Sequence, residues 1–161
     1  MLQKMTIYGV SFDMVGKQPI VLLRTLSGNK FLPIWIGHPE AAAILMKLQG
    51  TPTARPMTHD LITAMLSELN ATISKVAVTE LRENTFHAVI TLLVDGSEIE
   101  IDSRPSDALA LAVRVEAPIF VADQVIDDSA IEFGQEPEDS TEVIDEFREF
   151  LEHVNPEDFA G

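Results

Sequence analysis

The chain contains no cysteine. Disulfides and thiolate metal ligands are therefore excluded, as suits a protein kept in a reducing interior. No apolar run approaches the ~20 residues that a bilayer-crossing helix needs, and the opening MLQKMTIYGV lacks the basic and apolar regions of a signal peptide. These absences predict a cytoplasmic protein with no membrane partner. A Walker loop, a glycine-rich dinucleotide fingerprint, HExxH and GxSxG are all missing, so nucleotide-cofactor, zinc-protease and serine-hydrolase chemistry have no support. Aromatic residues make up only 6% of the chain, with one Trp and one Tyr. No stacking platform for nucleic-acid bases is visible.

Basic residues are scarce too, and the net charge of −15 argues at first against a polyanionic partner. The charge is unevenly spread. From residue 123 onward there are fourteen acidic residues and one basic residue, Arg148, whereas residues 1–122 carry twelve acidic and ten basic residues. The body is thus near −2 and the tail near −13.

With 161 residues and 46% hydrophobic content, the chain can build one domain with a substantial core. Residues 5–13, 19–26 and 31–36 read as strands, followed through Gly37-His38-Pro39-Glu40 by an Ala-rich helix over 41–48. A Pro-rich loop over 51–57 precedes a helix expected to be capped by Thr58 and ended by Asn70, with Leu61, Ile62, Met65, Leu66 and Leu69 at helical spacing. Strands over 73–82, 85–94 and 97–101 then lead into a second Ala-rich helix over 108–115, and a short strand over 118–122 follows.

The order of elements repeats. A shift of 67 residues aligns Leu32, Ile34, Ala41, Ala43 and Lys47 with Ile99, Ile101, Ala108, Ala110 and Arg114, and places Glu40 on Asp107. The expected fold is therefore α+β: internally duplicated β-β-β-α units, a mostly antiparallel or mixed sheet, and two Ala-rich helices apolar nearly all round. Such helices fit between a sheet and a second element or subunit, which predicts a homo-oligomer, with a dimer as the first expectation. Residues 1–126 form the expected domain, and 127–161 an acidic linker with a terminal amphipathic helix. That helix presents Val143, Ile144, Phe147, Phe150, Leu151 and Val154 on one face, either docked on the body or serving as an arm.

Three clusters carry candidate chemistry. Asp102, Ser103, Arg104, Ser106 and Asp107 crowd a turn between a strand and a helix. Converging, Asp102 and Asp107 would suit a divalent cation, Mg²⁺ or Mn²⁺, with Arg104 and Ser106 on a phosphate. The competing reading is structural: Ser106 or Asp107 caps the helix, Pro105 starts it, and Arg104 forms an ion pair. His38 and Glu40 occupy the related turn of the first half, as a substrate contact and a metal ligand, or as a plain strand-to-helix turn. Arg55, His59 and Asp60 form the third cluster, in which Arg55 would contact substrate. His59 is the leading general-base candidate, against the reading of an exposed first-turn residue.

The words LPIWIG at 32–37, Glu40-Ala41, RPMTHDL at 55–61 and DSRPSDALALA at 102–112 together resemble the bifunctional nuclease family. The resemblance runs from about residue 5 to residue 125. It implies a domain of mixed α and β structure that degrades RNA and DNA, without supplying an agreed catalytic set. The residue-level alternative is a non-catalytic oligomeric binding or regulatory module, favoured by the near-neutral body and the absence of a basic stripe.

Overall fold

The computed structural model describes residues 1–13 and 16–133, together with Glu149. The terminal amphipathic helix expected over 143–154 thus lies outside the described residues, apart from Glu149 itself. Twelve elements follow one another: β1 (Leu2–Asp13), β2 (Gln18–Thr25), β3 (Lys30–Trp35), α1 (His38–Leu48), α2 (Thr58–Glu68), β4 (Ala71–Arg82), β5 (Thr85–Val94), β6 (Ser97–Ser103), α3 (Pro105–Val115), β7 (Ile119–Ala122), α4 (Asp123–Ser129) and β8 (Ile131–Glu132).

The strands form one mixed sheet, in the order β6-β5-β4-β7-β1-β2-β3-β8. Two antiparallel meanders, β1-β2-β3 and β4-β5-β6, flank β7, which runs antiparallel to β1 and parallel to β4. The hairpin turns of the second meander use left-handed backbone at Glu83-Asn84 and at Asp95-Gly96, where φ is 49° and 79°. Positive φ at both central residues matches the twist of the strands being joined. After β6 the chain crosses over β5 and β4 through α3 and inserts β7 beside β4.

Strand alternation divides the apolar residues between two faces. Val21, Leu23, Leu32, Ile34, Val76, Val78, Ala88 and Ile90 turn toward the helices and form the main core with Ala108, Leu109, Ala110, Leu111 and Ala112. On the other face Ile20, Leu22, Phe31 and Trp35 form a second cluster with Tyr8, Ile131 and Phe133 packed against it. The sheet is thus buried on both sides at its β1–β3 end.

Helix α3 is apolar nearly all round because its own chain covers it, with α1 and α2 beside it and β4 and β5 beneath it. The second subunit considered from the sequence is not needed for that burial. Helix α1, also expected to be enclosed, buries only Ala41 and Ile44. Three local expectations change. The N-cap of α2 is Met57 and not Thr58, and that of α3 is Arg104, so neither Ser106 nor Asp107 caps it. Residues 123–129, partly expected as linker, are helical, with Val125 and Ile126 joining the core. On α2 only Ile62 and Leu66 of the expected apolar set pack against the core, while Leu61, Met65 and Leu69 are exposed.

Candidate functional site

The first turns of three helices meet above the β5–β6 end of the sheet. Glu40 is the third residue of α1, Asp107 the third of α3, and His59 and Asp60 the second and third of α2. A carboxylate there faces the unpaired N–H groups and partial positive charge of a helix start. A proline early in α1 and another at the first position of α3 set those starts without needing a backbone donor.

Arg104 sits between two of these carboxylates. Its Nη2 donates to Glu40 Oε1 at 2.7 Å and lies 2.8 Å from Asp107 Oδ2, to which its Nε also donates at 2.9 Å. Glu40 first, then Asp107, raise the guanidinium's affinity for its proton above the ordinary value. The other carboxylate oxygen of Asp107 lies 2.9 Å from His59 Nε2. His59 is 8% exposed, so the ring is sheltered, while Asp107 is about a third exposed to the cleft. A carboxylate oxygen accepts, so Nε2 is the donor of this bond, and Nδ1 is the ring nitrogen outside it.

A second tie supports the first. Arg114, the lone cation of α3 within its helical span, donates through Nε to Asp60 at 2.7 Å and through Nη1 to the carbonyls of Ala110 and Ala43 at 2.8 and 3.2 Å. It therefore joins all three helices. Asp60 also accepts from the Met57 N–H at 2.9 Å. That backbone bond, followed by the bond from Arg114, holds its carboxyl below the ordinary value.

The cluster opens on a cleft of about 990 Å³, lined by Ile62 and Leu66 of α2, Ile90 and Leu92 of β5, Ile101 of β6 and Leu111 of α3. Glu40, His59, Asp60, Arg104, Asp107 and Arg114 form its polar part.

Of the candidates read from sequence, His59, Glu40, Arg104 and Asp107 come together. Asp102 does not join them. It is paired with Val89, so it belongs to the face of β6 opposite Ile101 and Ser103, although it too borders the cleft. The expected convergence of Asp102 with Asp107 fails because one residue of strand reverses a side chain's direction. Ser106 is buried and does not line the cleft, and Arg55 is exposed on its loop and also outside the lining. His38 bonds the Lys17 carbonyl through Nε2 at 3.0 Å, on the far side of the α1 start. Among the described residues, no three His, Asp or Glu side chains come together as a metal site. A cation already stands between Glu40 and Asp107, in the form of the Arg104 guanidinium.

The role of Arg114 was missed, although a signal existed. A single cation in a run of buried Ala and Leu must find a carboxylate, although nothing local singles out Asp60, 54 residues away. The 48-residue separation of His59 and Asp107 left no comparable local trace.

Comparison with known proteins gives a consistent result. The family model described as the bifunctional nuclease domain matches residues 21–134. An uncharacterized protein of Mycobacterium tuberculosis is 35% identical over 161 residues, covering 96% of each chain. Bifunctional nuclease 2 of Oryza sativa subsp. japonica is 27% identical over 108 residues, 65% of this chain and 33% of that protein. The bifunctional nuclease of Oryza minuta is 24% identical over 140 residues, 84% of this chain and 42% of that protein.

Proposed function

The chain belongs to the bifunctional nuclease domain family, and from that premise we propose that it hydrolyses phosphodiester bonds of RNA or DNA at the His59–Asp107–Arg104 cluster. The observation that carries this reading is the pairing of a buried His59 with Asp107, 2.9 Å apart, at the meeting of three helix starts beside an open cleft. A histidine oriented by a carboxylate is a recurrent arrangement for a general base.

In the proposed reaction the scissile phosphate lies against the helix starts, whose N–H groups and partial positive charge favour an anion. Arg104 turns a guanidinium N–H toward a non-bridging oxygen and steadies the charge that grows there. His59 Nδ1 takes a proton of the attacking water. The new oxygen–phosphorus bond forms as the bond to the leaving oxygen breaks, and solvent protonates the leaving oxygen. Asp107 keeps the ring oriented and stabilises its protonated form.

A divalent cation, Mg²⁺ or Mn²⁺, is common in this class of chemistry. The carboxylates do not fit one as they stand: both oxygens of Asp107 are engaged, Glu40 is held by Arg104, and Asp102 points to the other face. No step is assigned to a metal.

One observation favours a second reading, the non-catalytic binding or regulatory module. Arg104 already has a carboxylate on either side, as a structural ion pair would. Cleavage assays on folded variants of His59 and Asp107 separate the two. The same proposal includes a cytoplasmic location, supported by the absence of cysteine, and a homodimer, supported by the exposed α2 stripe of Leu61, Met65 and Leu69. It includes duplicated halves as well. Helices α1 and α3 each have eleven residues, and His38–Leu48 maps onto Pro105–Val115 under the same 67-residue shift.

A further inference from the structure

We propose that the outer edge of β6 receives an extended strand of another protein in which Lys or Arg alternates with apolar residues. The inference does not rest on the nuclease reading, although this edge borders the same cleft.

Among the described residues, strand β6 ends the sheet and pairs only with β5. Its seven residues therefore offer an open row of backbone donors and acceptors, and Ser97 to Asp102 are all exposed. At the opposite end, β8 has only two residues. Edges of this length are ordinarily shortened, covered or interrupted. Among the described residues nothing shortens, covers or interrupts this one, and its guard is the charge of Glu98, Glu100 and Asp102.

The two faces of β6 differ sharply. Ile99 and Ile101 pair with Leu92 and Ile90 and so stand on the helix side, where Ile101 lines the cleft. They are 47% and 44% exposed, as residues missing an outer neighbour would be. Glu98, Glu100 and Asp102 pair with Leu93, Thr91 and Val89 and stand in a row on the other face. Successive carboxylates are about 6.7 Å apart along the strand.

Charge selects the occupant. An antiparallel second copy of β6 keeps its faces in phase, so its carboxylates would lie beside these carboxylates, which is destabilising. Single-stranded nucleic acid would bring phosphates to the same row. A strand with Lys or Arg at every second position places a cation opposite each carboxylate. Its intervening apolar residues then extend the Ile99–Ile101 row over the cleft mouth. Main-chain bonds supply affinity and the alternating side chains supply selection, as in recognition by strand addition.

The test uses the full chain and a synthetic heptapeptide of alternating Lys and Val. A peptide of the same composition with its Lys and Val in separate blocks controls for simple attraction to an acidic protein. At physiological salt the alternating peptide is expected to bind about tenfold more tightly or better and to slow amide exchange at residues 97–103. A Glu98→Lys/Glu100→Lys variant is expected to lose this preference and to favour an alternating Glu and Val peptide. Equal binding of the blocked peptide overturns the proposal. So does protection confined to another part of the chain, an unchanged preference in the variant, or protection of 97–103 by single-stranded RNA or by self-association.

Discussion

Arg104 and Glu40 are 64 residues apart in the chain, yet the guanidinium of one donates to the carboxylate of the other at 2.7 Å. The same guanidinium holds Asp107 three residues ahead of it. One side chain thus fixes the start of α1 against the start of α3, and Asp107 in turn orients His59 on α2. Gly37, the N-cap of α1, leaves the room into which the Glu40 carboxylate folds.

Removing this bridge should cost a modest amount of stability: Arg104 is 59% exposed and screened by water, but Glu40 is only 13% exposed and loses its partner. Arg104→Met is expected to lower unfolding free energy by about 1 kcal/mol, measured by urea denaturation. Adding Glu40→Gln should cost much less than it does in the wild-type background, since its partner is already gone.

The core under α3 should be far more sensitive. Leu109 is 1% exposed within the main cluster, and Leu109→Ala leaves a cavity that close-packed neighbours cannot fill. The expected loss is about 3 kcal/mol. It would appear as a lower denaturant midpoint with an unchanged slope.

Asp60 makes a prediction in acid. Bonds from the Met57 N–H and from Arg114 hold its carboxyl below the ordinary value of 3.8, so the folded protein binds that proton less readily than the unfolded chain. Its contribution is complete above 3.8 and is lost as pH falls through the lower folded-state value. Asp60→Asn should therefore lower stability at neutral pH and flatten the acid limb of a stability–pH curve. A parallel, merely displaced acid limb would contradict the assignment.

Much of this arrangement follows from local sequence. The residue pattern over 85–101 indicated β5 and β6, while the helices expected over 41–48 and 108–115 start three residues earlier, at His38 and Pro105, because the Pro-Glu and Pro-Ser-Asp turns are themselves the first helical turns. The 67-residue shift that paired Glu40 with Asp107 found two residues that share one guanidinium. It could not reveal Arg104 as their link, since bridging depends on how two helices approach in space. Insertion of β7 between the two meanders is likewise a long-range choice, with no signature in PIFVA at 118–122. The face of Asp102 was readable: the alternation that makes Ile101 line the cleft sends its neighbour the other way. The expectation of a metal pair overlooked that period.

The central claim is best tested by cleavage of labelled single-stranded RNA and DNA, in the presence of Mg²⁺ or Mn²⁺, using wild type and His59→Gln, Asp107→Asn and Asp102→Asn variants of verified fold. Wild type should cleave at least one substrate. His59→Gln and Asp107→Asn should fall by about a hundredfold or more, and Asp102→Asn should remain near wild type. Undiminished cleavage by folded His59→Gln and Asp107→Asn would contradict the assigned site, and no cleavage by the wild type with either ion would contradict the nuclease reading itself.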